Sequence, residues 1–175
     1  MERISASENP NPRVIDSPGA TQTPRWEHFT HQSDIGIRGY GGSPDEAFTQ
    51  LALALMAAIT DPRCIEAHSA VTLECRAPDL ELLLFDWVNT LLFEMDARHQ
   101  LFCAFDVHIH GQHLQATTWG EPHVAARHDP LIKLESATFT ALHVAALAPD
   151  RWMAQCVVTP DQHNHAALLN GNSTA

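Results

Sequence analysis

The sequence predicts an α+β fold: a mostly antiparallel sheet with two helices packed on one face. Three observations predict it. Two segments, 44–59 and 80–98, repeat apolar residues at helical spacing. Short segments on either side of them alternate with period two, as half-buried strands do. The order lacks the strict strand–helix–strand alternation of a parallel sheet. With 175 residues and 45% apolar content, the chain is long enough for one domain with a real core.

Residues 1–24 are rich in Pro, Ser, Asn and Thr without hydrophobic period and read as a disordered tail. The domain is expected over 25–160. Arg25 to Thr30 alternates as a first strand, and Ile35 to Tyr40 as a second. Ser43-Pro44-Asp45-Glu46 is a helix start: Ser43 can cap, Pro44 suits the first turn, and Glu46 completes a capping box. Phe48, Leu51, Ala52, Leu55, Met56 and Ile59 then form one apolar face, which Thr60-Asp61-Pro62 ends. Val71 to Arg76 is a short strand. Pro78-Asp79-Leu80 opens a second helix reaching about Arg98. Its apolar stripe, from Leu80 to Met95, is wider than a surface helix needs and predicts the central helix. Phe102 to His110 and His113 to Trp119 form a hairpin about Gly111-Gln112. Gly120-Glu121-Pro122 breaks it and a loop follows. Leu134 to Leu147 and Trp152 to Val158 are the last strands, and 161–175 reads as a second loose tail.

Composition narrows the function classes. Ten basic and 21 acidic residues give a formal charge of −11, which argues against gripping a nucleic-acid backbone. An acidic surface can still steer in a basic protein partner. The run from Leu80 to Met95 is too short and too charged for a bilayer. Met1 to Ser5 opens no signal peptide. Four cysteines lack any C-x-x-C pair, and Cys75, Cys103 and Cys156 fall in strand-like runs where a free thiol acts as a small hydrophobe. A reduced, cytoplasmic protein is expected.

The stretch from His31 to Gly41 organises the candidate chemistry. Asp34 precedes a short strand, with Gly36 two residues on. A glycine there admits another backbone or a ligand. Asp34 then either holds a hard cation with other converging oxygens, or begins the strand as an Asx-type turn. His108, His110 and His113 form a zinc-like triplet, or are simply the polar residues of an exposed hairpin. Asp86, Asn89 and Thr90 share a polar helix edge. Glu121 stands at a strand end, aimed at a loop-lined site or left in solvent. No P-loop, Rossmann fingerprint, G-x-S-x-G or H-E-x-x-H is present.

Taken in order, these residues resemble the archease family. The resemblance rests on His31-Gln32-Ser33-Asp34-Ile35-Gly36-Ile37, on Asp45-Glu46-Ala47-Phe48, and on Leu83 to Leu92. Gly120-Glu121-Pro122, Arg127-His128, Thr138-Phe139 and Trp152-x-Ala154 complete it. It implies a fold built on the strand-helix-strand-strand module. It implies a non-catalytic accessory protein that promotes guanylylation and repeated turnover of an RtcB-type RNA ligase in tRNA splicing or RNA repair. It also implies a divalent cation, usually calcium, on Asp34 and on a second aspartate whose position is Thr159 here, with Asp161 two residues on. His31, Glu121 and His128 fall to partner contact or support of the site. Glu135 and Thr140 replace the usual lysine and histidine of the preceding strand. The alternative is a divergent member that serves as a binding module, without metal or activation.

Overall fold

A computed structural model describes residues 23–129 and 131–161. Apart from Thr23, Pro24 and Asp161, the two expected tails lie outside the described residues. The first strand, β1 (Arg25–His31), turns through Gln32-Ser33 into β2 (Asp34–Gly41), with His31 opposite Asp34. Helix α1 (Pro44–Ile59) follows. Then come β3 (Ser69–Arg76), α2 (Leu80–Arg98), β4 (Gln100–His110) and β5 (His113–Pro122). A one-turn helix α3 (Ala125–His128), β6 (Leu134–Ala148) and β7 (Arg151–Pro160) complete the order.

The class is α+β as expected, but the strands divide between two sheets. One is four-stranded in the order β1-β2-β7-β6, the other three-stranded in the order β3-β5-β4, and every pairing is antiparallel. The module β3-α2-β4-β5 is inserted between α1 and β6, so β7 returns to pair with β2. Both helices touch both sheets: α1 packs on β2, β7 and β4, and α2 on β6, β3 and β4. The helices therefore lie between two sheets, not on one face of a single sheet.

Local chemistry sets the helix starts. The Ser43 hydroxyl accepts from the Glu46 N–H, while the Glu46 carboxylate reaches back to the Gly42 N–H at 2.7 Å, one residue beyond a simple capping box. Asp79 caps α2 by accepting from Leu82 N–H at 2.8 Å. Burial decides how the helices sit. On α1, Phe48, Leu51, Leu55, Met56 and Ile59 are buried, worth roughly 10 kcal/mol together against about 1 for a cap. The central helix is α1, correcting the expectation for α2. Nine of the 16 residues of α1 are buried, against six of 19 in α2, because four alanines let both sheets approach α1. The stripe on α2 is wide, yet Phe93 stays 67% exposed.

The polar edge of α2 is structural. Asn89 Nδ2 donates to Phe85 O, and its Oδ1 accepts from the Ala137 N–H, both at 3.0 Å, so it clips β6 to the helix. Thr90 meets the Cys75 thiol at 3.4 Å, and Asp86 is exposed. On the outward face of the larger sheet, Arg38 bonds Glu27 and Gln155 and stacks on the Phe29 ring. Gly36 makes room for that ring: a Cβ there would lie 2.3 Å from it. The space beside Gly36 thus belongs to the chain's own phenylalanine.

Candidate functional site

The fold gathers the polar candidates at one end. Helix α1 runs antiparallel to β2, and the His28 ring bonds Ala54 O at 2.7 Å, beside the His28–Ile37 rung. The last turn of α1 therefore returns to the end where β2 begins, β7 finishes and β6 starts. Three contacts bind that end together. Ile132 N–H donates to Ile59 O at 2.9 Å, Thr60 Oγ1 to His128 O at 2.8 Å, and Asp161 N–H to Lys133 O at 2.9 Å.

Asp34 stands at this end, half-buried, closing a turn in which Gln32 adopts φ 53°. Its carboxylate has no hydrogen bond or ion pair among the described residues, so it forms no Asx turn. The register places Ile35 opposite Val158 and Ser136 opposite Thr159, so the next rung sets Thr159 beside Asp34. Paired residues of an antiparallel ladder share a face. His31 adjoins Asp34 across the hairpin. Asp161, two residues beyond Thr159, lines a groove between α2 and β6 with Phe93, Lys133 and Glu135.

Among the described residues, Asp34 and Asp161 belong to no cluster of three His, Cys, Asp or Glu side chains. Calcium takes about six to eight oxygen ligands. Asp34 and Asp161 supply two carboxylates and Thr159 a neutral hydroxyl, fewer than that number.

Among the described residues, one trio of His, Cys, Asp or Glu converges: Glu66, His68 and Glu121, with ligand atoms within 4.8 Å of one another. The zinc-like triplet does not. The exposed His108 turns to Asp106 at 3.2 Å, and the half-buried His113 to Glu74 at 3.5 Å. Glu121 is 2% exposed, so it is neither a solvent residue nor free to meet a partner directly. Its Oε1 accepts from the Glu66 N–H at 2.7 Å and from His128 Nε2 at 3.2 Å, and its Oε2 pairs with Arg127. The Glu66 amide, together with Arg127 and His128, outweighs burial and holds its pKa below the ordinary carboxylate value.

His128, also buried, accepts at Nδ1 from the Val124 N–H at 2.9 Å. That bond fixes the neutral tautomer with hydrogen on Nε2, which donates to Glu121. His68 sits between carboxylates, 2.7 Å from Glu66 and 3.6 Å from Glu121. This cluster ties the loop before β3, the end of β5 and α3 into one unit. Sequence reading found Glu121, Arg127 and His128 as motif residues but missed Glu66 and His68, which stand in a polar loop without local pattern.

A family model described as the archease protein family (MTH1598/TM1083) matches residues 26–159. The chain belongs to the archease family. It is 36% identical over 137 residues to the protein archease of Pyrococcus abyssi, covering 76% of this chain and 96% of that one. The protein archease of Pyrococcus furiosus gives the same identity and coverage. Among solved structures it is similar to protein 1598 of Methanobacterium thermoautotrophicum, with a TM-score of 0.64 and 25% identity over 77% of this chain and 97% of that one. The archease fold thus spans the two-sheet domain and both polar clusters. No described helix is long and apolar enough to cross a membrane.

Proposed function

We propose that this protein is an accessory protein of an RtcB-type RNA ligase. It promotes guanylylation and repeated turnover of the ligase in the cytoplasm, in tRNA splicing or RNA repair, and does not itself join RNA. Membership of the archease family supports the class, and Asp34 carries the reading on this chain. A half-buried carboxylate without a partner among the described residues, at the start of a strand, is positioned to meet a cation or a basic group of a partner. Thr159 extends that surface with a hydroxyl, and His31 flanks it. The Glu121–His128–Arg127 cluster acts behind the surface as support, holding α3 and the end of α1 in place. The charge of −11 favours contact with the ligase over contact with the RNA backbone.

The test is RNA joining by the ligase of the same organism, with ligase limiting and RNA in excess. Multiple turnovers should appear only when this protein is added, and Asp34→Ala should abolish them while its far-UV spectrum and melting temperature stay unchanged. Equal stimulation by Asp34→Ala would reject the role. A second reading, a binding module without metal or activation, is favoured by the neutral Thr159 in the rung beside Asp34. Calcium calorimetry separates the two: a fitted affinity that disappears in Asp34→Ala rejects the metal-free module.

A further inference from the structure

The connection from β3 to α2 and the turn of the β4–β5 hairpin flank a cavity of about 420 Å³, lined by Arg76, Ala77, Pro78, Gln112 and His113. Two bonds fix its frame: Ala77 N–H donates to Gln112 O, and Gln112 Nε2 to Pro78 O, each at 3.1 Å. The volume falls in the lower part of the range for small-ligand pockets, roughly 300–1,000 Å³. The cavity adjoins the start of α2, whereas the start of β6, beside Asp34, faces that helix's C-terminal half.

Two side chains of this cavity are unsatisfied. Among the described residues, every lysine and arginine except Arg76 engages another residue. Arg76 makes no hydrogen bond, ion pair or ring contact with any described residue. His113 Nε2 is buried yet has no hydrogen-bond partner, with Glu74 Oε2 3.5 Å away. The register sets Arg76 opposite His113 and His113 opposite His110. Paired residues share a face, so three basic side chains follow one another along one rung. The acids nearest in sequence are otherwise engaged: Asp79 caps α2, and Glu74 accepts from Gln115 and faces His113. The other charges behind the formal −11 act across solvent, where salt screens them beyond about 8 Å.

We propose that this cavity binds the phosphate group of a small ligand, held by the Arg76 guanidinium and the His113 imidazole. An exposed arginine alone needs no ligand, but here it shares a framed cavity with a second unsatisfied donor. The guanidinium fork offers two parallel N–H donors, which fit a phosphate or a carboxylate. The imidazole adds a third donor. A carboxylate spends both oxygens on the fork, whereas a tetrahedral phosphate keeps a further oxygen for the imidazole. His110, next on the rung, adds positive charge on protonation. Ala77 and Pro78 give the carbon side of a phosphate ester an apolar wall. The proposal stands independently of the ligase reading.

The test is a titration of the full-length chain with inorganic phosphate at constant ionic strength, followed by amide NMR shifts. The amides of Arg76, Ala77, Gln112 and His113 should shift and saturate, with half-saturation at about millimolar phosphate. Arg76→Ala should weaken binding about tenfold or more. Arg76→Lys, which keeps the charge but loses the fork, should weaken it less. Amide spectra away from the cavity report whether each variant keeps the fold. Glycerol phosphate, titrated in parallel, identifies the source: tighter binding than inorganic phosphate supports an ester, and equal binding supports the free ion at the same site. Shifts that rise without saturating, that acetate reproduces, or that persist undiminished in Arg76→Ala overturn the proposal.

Discussion

Gly120 precedes the buried Glu121 and faces β4 at its bulge, where the register shifts between Phe102 and Ala104. A Cβ added there would lie 1.8 Å from Leu101 O and 2.8 Å from Leu101 C and Phe102 Cα. All three are backbone atoms, so no side chain can swing aside. To restore ordinary contact near 3.4 Å, the strands must part by about 1.6 Å. That movement breaks ladder bonds worth about 1 kcal/mol each and forces overpacking that costs about 1–3 kcal/mol. Gly120→Ala should therefore destabilise by about 3 kcal/mol and lower the melting temperature by roughly 6–12 °C for a domain of this size. Gly111→Ala is the control. Gly111 has φ +61° with nothing within 4 Å of its Cβ, so only the left-handed backbone is at issue, about 1–2 kcal/mol. Urea unfolding of both variants, with unchanged m, measures the difference. If Gly120→Ala costs no more than Gly111→Ala, the close strand approach behind Glu121 is wrong.

Four further outcomes are expected. Asn89→Ala leaves the buried Ala137 N–H without its acceptor and should cost about 1–3 kcal/mol in urea unfolding. Ala141 holds φ 53° in the irregular part of β6, so Ala141→Gly should stabilise by roughly 0.5–1 kcal/mol in the same assay. The folded pKa of Glu121 lies below the ordinary 4.5, so its contribution is complete above that value and is lost as pH falls through the folded pKa. Melting temperature against pH should accordingly flatten below pH 4.5 in Glu121→Gln relative to the parent. Finally, Cys64 is exposed, while burial raises the thiol pKa of Cys75 and Cys103 and pushes Cys156 up to about 12. A thiol reagent at neutral pH should therefore titrate one cysteine fast, and Cys64→Ser should remove that phase.

What the sequence reveals, and what it hides, divides by range. Ser43 and Asp79 cap their helices through bonds three residues long, so both starts were readable from adjacent letters. The strands that alternate, and the hairpin at Gly111, were readable for the same reason. The two sheets were not. Period two reports that a strand has two faces, and says nothing about which distant strand it joins; β7 chooses β2 across more than a hundred residues. Glu121 shows the same limit at the site. Its neighbours Gly120 and Pro122 mark a loop-edge residue, which by composition belongs in water. It is buried because an amide from Glu66, 55 residues away, and the Arg127 guanidinium satisfy it. Asp34 is the converse. It resembles an ordinary turn aspartate in sequence, yet among the described residues it lacks the partner that a turn would give it. The buried carboxylate that is fully satisfied therefore serves the scaffold, and the half-buried one left unsatisfied is where a partner gains most by binding.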